Sequence, residues 1–589
     1  MTTISSFKST NAQVDVGKAK AQVVVEELGT TSPDKPPVAD DFMYDFKYNH
    51  ALPTSDLLGT NIPASCNASQ EAESIVASLS EAMATENAPT FANMFWEYGV
   101  WRDRLSFTWD YRTFNFQPAI LKAATDLFPT LQFVVSFETD LVLASGVINS
   151  VLTKDGWKIY TMHTVAEKLK RYPELSPADG HMTGPVSWER QRAQDIDAAD
   201  SEILIVGGGQ NGLALAARCK ALGMNPLIIE RNESVGDVWK KRYEYLSLHF
   251  PHWADDLPYF PYPKHWPTYT PAQKQGLYME WYASALELNI WTSSEVVRAE
   301  QDEDDKHKWT VVINKEGKET RTLHPSHVVM ATSLCGVPMA PQIPGMGEFQ
   351  GVLRHSTAHD SSRDFVGKKV CVVGTSSSGF DTAFDCSRRG IDVTLLQRSP
   401  TYIMSLTHSV PRAIGSYAPD ADGNRPSLEE QDRLFFATPT GPGEELARRN
   451  AKVLEDLDRP LLDALHARGL RTWRGQRKTG NPTLGQTRNG GFYFTPTKVE
   501  SGYIERFAEN KVILNGGRER EFDLVIADQC GPIWGIDEEG EFRTAYRETG
   551  VPNLWLMVGY LPYTRFHSKL LAMRLKALRE KISLAPYKD

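Results

Sequence analysis

One stretch constrains the fold of this chain more than any other: EILIVGGGQNGLALAARCKALGMNPLIIE, from Glu202 to Glu230. A largely aliphatic run, Glu202 to Val206, leads straight into Gly207, Gly209 and Gly212. An alanine-rich helical run follows, stops at Gly223, and gives way to a short apolar strand ending on Glu230. Strand, glycine turn, helix, strand and terminal acid is the order a dinucleotide-binding unit requires. Each glycine has its own task. Gly207 permits the tight turn, Gly209 admits a pyrophosphate to the backbone, and Gly212 lets the helix pack closely on its strand. The helix begins at Gln210 and Asn211, whose end offers unpaired N–H groups and the positive pole of the dipole to phosphate. Glu230, with Arg231 beside it, lies about twenty residues past the turn, where a carboxylate accepts hydrogen bonds from a ribose diol.

At 589 residues the chain is too long for one core, and roughly two to four domains are expected. The net charge of −10 gives no electrostatic reason to expect a nucleic-acid partner. No apolar run is long enough to span a bilayer, and MTTISSFKSTNAQ lacks the apolar core of a signal peptide. LAPYKD is neither a prenylation box nor a peroxisomal tripeptide. Cys66, Cys219, Cys335, Cys371, Cys386 and Cys530 are scattered, with no CxxC pair. They read as buried thiols in a reducing compartment, and the chain as a soluble, cytoplasmic, multidomain protein.

Residues 1–65 are polar and irregular, and read as a disordered leader. From Ser69, EAESIVASLSEAMA carries a helical pattern, TFANMFWEYG suggests a short helix or turn, and WRDRLSFTW alternates as a strand does. FQPAILKAATDLF looks helical; LQFVVSFETDLVLASGVINSVL and WKIYTMHTVAEKL read as strands joined by a turn at Lys154–Asp155–Gly156. Helices followed by a meander make a small α+β unit. It resembles the cone-shaped NTF2-like (SnoaL-like) fold that precedes the flavin domain in some fungal flavoproteins. That resemblance implies a ligand cone, a homodimer contact or a cover for the larger domain; core packing accounts for its Trp, Tyr and His residues as well. The run from Pro173 to Asp200 is a connector with one helix, WERQRAQD.

Past Glu230 comes RNESVGDVWKKRYEYLSLHFPHWADDLPYFPYPKHWPTYTP, crowded with aromatics, prolines and bases and without a clean period. Irregular aromatic loops of this kind wrap something flat or close a cavity. GDVW, KKRY, LSLH, LPYFPYP and WPTYTP resemble the class B flavin-containing monooxygenases, in their YUCCA-like and fungal branches. By that resemblance Gly236, Asp237, Val238, Trp239, Arg242 and His249 lie near FAD, and the first unit is an FAD cradle. Ala331-Thr332-Ser333 stands at the family's ATG turn, with serine for glycine. Phe349, Gly351 and His355 match the FxGxxxH fingerprint of flavin monooxygenases and Baeyer–Villiger relatives, which puts His355 at the hinge between nucleotide domains; His359 replaces the family's following aromatic. A linker histidine can equally be a surface residue.

KKVCVVGTSSSGFDTAFDCSRRGIDVTLLQRSP repeats the opening architecture, with Gly374 and Gly379 at the turn and Ser376 in place of the middle glycine. A serine is small enough there, and hydroxyls such as those of Ser376 and Ser378 can donate to phosphate. The second strand ends on Gln397-Arg398 rather than an acid. A carboxylate repels a ribose 2′-phosphate, whereas a guanidinium binds it through paired hydrogen bonds, so this site favours NADPH. The alternative is an arginine at a strand end on the surface. DADGNRPSLEEQ mimics a calcium loop at Asp420, Asp422 and Asn424, but Arg425 and Gln431 replace the required Gly and Glu, so no metal is expected. EELARRNAKVLEDLDRPLLDALHARG is a helical insertion, and DLVIADQCG, PNLWLMVGY and SKLLAMRLKALREKI return to strand and helix. By resemblance the last of these rejoin the FAD domain, with Gly559 near the flavin; Ala527-Asp528-Gln529 departs from the family's second ATG turn.

The expected architecture is α/β: two nested Rossmann-like dinucleotide-binding domains preceded by the small α+β NTF2-like domain. The bounds are 66–172 for the first domain, 173–200 for the linker, 201–365 and 516–589 for the FAD domain, and 366–515 for the NADPH domain. The resemblance implies an FAD- and NADPH-dependent monooxygenase that inserts one atom of O2 into a small organic substrate through a C4a-hydroperoxyflavin. N- or S-oxygenation, hydroxylation and Baeyer–Villiger chemistry all fit. No zinc spacing or GxSxG offers another chemistry. Two alternatives stay open: a pyridine-nucleotide disulfide reductase, which needs a redox cysteine pair, and a non-catalytic FAD-binding sensor, motivated by Ser333, Ser376 and Asp528-Gln529.

Overall fold

A computed structural model describes residues 12–16, 19–25, 67–85, 94–104, 111–115, 130–153, 156–175, 186–197, 201–302, 304–305, 307–332, 345–396, 402–403, 405, 414–420, 423–437, 456–467, 471–474, 492–495, 530, 537 and 541–582. The first unit is a seven-stranded sheet. It comprises β1 (Ala12–Val16), β2 (Ala19–Val25), β3 (Phe95–Arg104), β4 (Tyr111–Asn115), β5 (Thr130–Glu138), β6 (Val142–Thr153) and β7 (Gly156–Leu169), in the order β1-β2-β5-β6-β7-β3-β4. Helix α1 (Ala68–Ala84) lays Ala72, Val76 and Leu79 on Phe95, Phe133, Ile148 and Ile159. Two expectations change. Inside the stretch read as leader, AQVDV and AKAQVVV alternate apolar and polar residues and form a hairpin that joins the sheet through β2 and β5. The segment FWEYG is the start of a strand, not a helix or turn: Phe95 and Trp96 are buried, and aromatic side chains suit a half-buried pleated surface. The helix expected in FQPAILKAATDLF lies outside the described residues.

Helix α2 (Trp188–Asp197) leads to a second, all-parallel sheet. Here β8 (Ile203–Val206), α3 (Gln210–Ala221) and β9 (Leu227–Ile229) follow in sequence. After α4 (Asp237–Lys240) comes the antiparallel pair β10 (Ser247–Pro251) and β11 (Tyr269–Pro271), then α5 (Ala272–Ala285) and β12 (Asn289–Trp291). A three-stranded meander, β13 (Ser294–Gln301), β14 (Trp309–Lys315) and β15 (Glu319–Leu323), precedes β16 (His327–Met330). The parallel strands β8, β9 and β16 are buried at every residue, as strands covered on both faces must be.

Next in sequence come β17 (Lys369–Val373), α6 (Ser377–Arg388) and β18 (Asp392–Leu396), with β17 and β18 parallel and in register. Further on lie β19 (Tyr402–Ile403), α7 (Leu428–Phe436), α8 (Arg459–Ala467), β20 (Arg471–Arg474) and β21 (Phe492–Thr495). The chain then returns to the parallel sheet as β22 (Leu554–Leu556), giving the order β12-β9-β8-β16-β22, and α9 (Leu561–Arg579) follows. The second strand–turn–helix–strand unit is thus inserted between two neighbouring strands of the first. The protein is a mixed α/β fold. Among the described residues no helix is long and apolar enough to cross a membrane.

One core runs through the parallel sheet, α3, α9 and the inner face of the N-terminal sheet, where Val142, Ala144, Val165 and Leu169 join Leu570 and Leu571. Among the described residues, ion pairs tie the N-terminal sheet to later parts of the chain. Arg102 on β3 donates to Glu541 from Nε and Nη2, both side chains almost fully buried, and from Nη1 to the Phe436 carbonyl at 2.9 Å. Glu167 on β7 pairs with Lys569 on α9 and with Arg433 on α7. Glu167 loses hydration through burial, yet Lys569 and Arg433 still hold its carboxyl below the usual range.

Candidate functional site

The first glycine turn is built by backbone contact. Gly207 has φ +111°, where an L side chain is strained, and a Cβ there would stand 2.7 Å from the Ala331 carbonyl oxygen at the end of β16. A Cβ on Gly212 would overlap the Gly207 carbonyl, so this glycine sets how closely α3 seats on the turn. Gly209 differs: nothing lies within 4 Å of where its Cβ would be. It is the N-cap of α3, and no side chain caps that helix. The turn is therefore sealed toward the protein at Gly207 and Gly212 and open at Gly209. That cradle fits a pyrophosphate on a helix N-terminus.

Glu230 sits against this turn with only 8% of its surface exposed. Its Oε2 accepts the Gly208 N–H at 2.7 Å; Oε1 accepts the Asn232 N–H at 2.8 Å and the Asn232 amide at 2.6 Å. Three donors fix the carboxylate, and a carboxylate has about four acceptor positions, so capacity remains for a diol. Neither Gly208 nor Asn232 stands out in the sequence, since no rule of spacing assigns them. Gln210 donates to the Gly559 carbonyl at 3.1 Å, and the Thr564 hydroxyl donates to Asn211 at 2.7 Å. Through these two bonds the start of α3 is joined to the C-terminal return of the chain. Gly559 has φ +128°, and a Cβ there would meet the Tyr546 hydroxyl oxygen at 2.7 Å.

The other residues of the irregular loop have distinct surroundings. Arg231 and His249 are exposed, and Val238 is half exposed. Gly236 has φ +84°, and its backbone lies against Gly276 on α5, where a Cβ on Gly276 would stand 2.7 Å from the Gly236 carbonyl oxygen. Asp237 contacts Lys241 at 2.9 Å and Lys240 at 3.2 Å. Burial works against its charge, but the two ammonium groups hold its carboxyl below the usual range. Trp239 packs on Tyr243, Leu246 and Ala272. The Arg242 guanidinium donates to the Ser378 hydroxyl at 3.2 Å, across to the second unit. An aromatic wall flanks Gly559: Phe250 stacks on Tyr560 with ring centres 5.2 Å apart, and Tyr560 lies 4.7 Å from Tyr563.

Behind that wall is a buried polar hub that sequence reading passed over. Arg565 of α9 binds Asp432 of α7 through two donors at 2.6 and 2.8 Å, and donates to the carbonyls of Ala254 and Asp256. Asp256 pairs with Arg425 at 2.8 Å, but burial still pushes its carboxyl up to about 6. Asp255, fully buried beside it, is pushed well above the carboxylate range by burial. The only trace of this hub in the sequence is the pair of adjacent acids in a loop dense with aromatics.

The second turn repeats the first. Gly374 has φ +110°, and its N–H donates to the Leu396 carbonyl at 2.9 Å. A Cβ on Gly379 would overlap the Gly374 carbonyl. Ser376 is the N-cap of α6 without a side-chain cap bond, and Ser378 lies in the first turn. Arg398, the residue expected to choose the nucleotide, lies outside the described residues, as do Ser333 and Asp528-Gln529. His355 caps a single turn of 3-10 helix, its Nδ1 accepting the Thr357 N–H at 3.2 Å. His359 is the buried member of the linker pair, between Tyr243 and Phe365; burial and Arg354 lower its proton affinity.

The family model described as "Pyridine nucleotide-disulphide oxidoreductase" matches residues 204–410. The chain is 34% identical over 202 residues to the rice (Oryza sativa subsp. japonica) indole-3-pyruvate monooxygenase YUCCA1, covering 34% of this chain and 48% of that protein. It is 33% identical over 202 residues to the probable indole-3-pyruvate monooxygenase YUCCA4 of Arabidopsis thaliana, with the same coverage. The chain thus spans about half the length of the curated relatives it matches. Among solved structures, the flavin-containing monooxygenase from Stenotrophomonas maltophilia is similar at 18% identity and a TM-score of 0.39, over 65% of this chain and 99% of that one.

Proposed function

We propose that the protein is an FAD- and NADPH-dependent flavin monooxygenase that inserts one oxygen atom of O2 into a small organic substrate. The observation that carries this reading is the pair of glycine turns in one chain, the first open only at Gly209 and closed by Glu230. FAD would lie with its pyrophosphate on the Gly207–Gly212 turn and its adenosine ribose on Glu230, oriented by Asn232. NADPH would use the Gly374–Gly379 turn, with Arg398 on the 2′-phosphate. Bound FAD, once reduced by NADPH, supplies the activation of O2 and the transfer of one oxygen atom.

The protein's own groups then have limited tasks. Backbone N–H groups at the start of α3 and α6 hold phosphates. The Phe250–Tyr560–Tyr563 wall excludes water from the face beside Gly559. The names of the YUCCA relatives support a keto acid or another small polar organic molecule as substrate class. The N-terminal domain is read as NTF2-like, supported by its sheet of paired strands with one helix packed on it. A cytoplasmic location and a homodimer through that domain complete the proposal; light scattering giving a monomer at micromolar concentration would remove the dimer.

The test is direct. Purified protein should be yellow, hold one FAD per chain and consume O2 with NADPH. Colourless protein that shows no NADPH-dependent O2 uptake after FAD addition refutes the reading. The description of the matching family model favours a second reading, a disulfide reductase. NADPH-dependent reduction of a disulfide dye without O2 uptake would select it. Against it, the sequence has no CxxC pair, and among the described cysteines Cys219, Cys386 and Cys530 are buried; Cys371, expected to be buried, is exposed on β17, whose described residues alternate between exposed and half-buried.

A further inference from the structure

The segment Arg242-Tyr243-Glu244-Tyr245, which follows the first nucleotide unit, runs along α6 of the second. Three of its residues form a latch. The Tyr243 hydroxyl donates to Asp381 at 2.7 Å, Glu244 pairs with Arg389 and Arg363, and Tyr245 packs on Phe384 beneath Arg388. Arg242 has a different setting. Its guanidinium reaches Ser378 in the first turn of α6, its Nε is buried with no hydrogen-bond partner, and among the described residues no carboxylate pairs with it. A cation at a helix N-terminus faces the positive pole of the dipole, the unfavourable end for a positive charge. An anion between the two would satisfy both the uncapped N–H groups that follow Ser376 and the guanidinium.

We propose that Arg242, although it follows the first nucleotide unit in sequence, is a ligand-binding residue of the second, its guanidinium facing the pyrophosphate received by the Gly374–Gly379 turn and α6. The inference rests on the reading of that unit as the NADPH site. A dinucleotide bound there would bridge the two units, since Arg242 belongs to one and α6 to the other. Pyrophosphate is common to NADPH and NADH, so Arg242 contributes affinity without discriminating between them. That separates its role from the 2′-phosphate role of Arg398.

The test uses purified full-length holoprotein, with NADP⁺ and NAD⁺ titrated by calorimetry and FAD content measured on the same samples. Arg242→Ala should weaken both nucleotides by the same factor, about ten- to a hundredfold for a lost charged hydrogen bond, with FAD content unchanged. Arg242→Lys should restore most of the affinity. Glu244→Gln breaks the latch pairs with Arg389 and Arg363, which do not involve Ser378, and should bind NADP⁺ as the wild type does. Unchanged NADP⁺ affinity in Arg242→Ala, loss of FAD instead of NADP⁺ affinity, or an equal loss in Glu244→Gln overturns the proposal. A wild-type holoprotein that binds neither nucleotide overturns the reading of the second unit, and this inference with it.

Discussion

Two glycines of the first turn, five atoms of backbone apart, should fail in opposite ways when substituted. Gly207 is strained for any L side chain at φ +111°, and a Cβ there would stand 2.7 Å from a backbone oxygen of Ala331. That oxygen belongs to Ala331, the buried residue that follows β16, whose N–H is held by the Val206 carbonyl at 2.8 Å. The positive φ costs about 1–3 kcal/mol and the overpacking a further ~1–3 kcal/mol, so Gly207→Ala should lose on the order of 4 kcal/mol of apoprotein stability. Gly209 has φ −77° and open space at the Cβ position. Gly209→Val should therefore leave the apoprotein within about 1 kcal/mol of wild type, the cost of a poorer N-cap. Both variants should lose FAD, for different reasons: the first because the turn is displaced, the second because a side chain fills the cradle. The assay is urea unfolding of FAD-stripped protein beside FAD stoichiometry after reconstitution. Gly209→Val that retains FAD, or Gly207→Ala with wild-type apoprotein stability, would refute the account of the turn.

The remaining expectations concern charge and protonation. Glu541→Gln removes the charge from one side of the buried Arg102–Glu541 pair and should cost about 1.5–3 kcal/mol, with Arg102→Met in the same chain recovering part of it in a double-mutant cycle. Arg398→Ala should raise the KM for NADPH far more than for NADH; equal effects on the two would remove the 2′-phosphate role. His327 is buried and accepts a hydrogen bond from the Trp555 indole, and burial lowers its folded-state value from 6.5 to about 4. Its folded form binds fewer protons than the unfolded chain, so this contribution is present above pH 6.5 and lost as pH falls toward 4. Across that window it amounts to roughly 3 kcal/mol. Stability measured against pH should fall less steeply on the acid side for His327→Asn than for wild type; parallel curves would show that the imidazole is not the group responsible.

The features legible in the linear chain are those whose physics is local. The run from Glu202 to Glu230 carries its own strand period, turn glycines and helix, all within one strand–turn–helix–strand unit, and the structure forms β8, α3 and β9 there. The second unit, from Lys369 to Leu396, was readable for the same reason. The strands β14, β15 and β16 follow from alternation and an apolar run. By contrast, AQVDV and AKAQVVV were hidden by their polar flanks, because a hairpin at a sheet edge is stabilised by the strand it joins, here β5.

Tertiary structure alone decided the partners that lie far apart in sequence. Gly236 has no room for a side chain because the Gly276 backbone lies against it, and nothing in GDVW announces Gly276. Arg102 and Glu541 meet across most of the chain's length, as do Gln210 and Gly559. Arg242 stands among residues of the first unit in the sequence, yet its guanidinium rests on Ser378 of the second. A periodic pattern records which side of an element faces the core, but it does not record which element waits there. The sequence thus determined that two strand–glycine turn–helix units exist and which glycines the close turns require. Which arginine, asparagine or buried acid stands opposite them was set by packing, where charge and close contact act over distances that chain spacing does not encode.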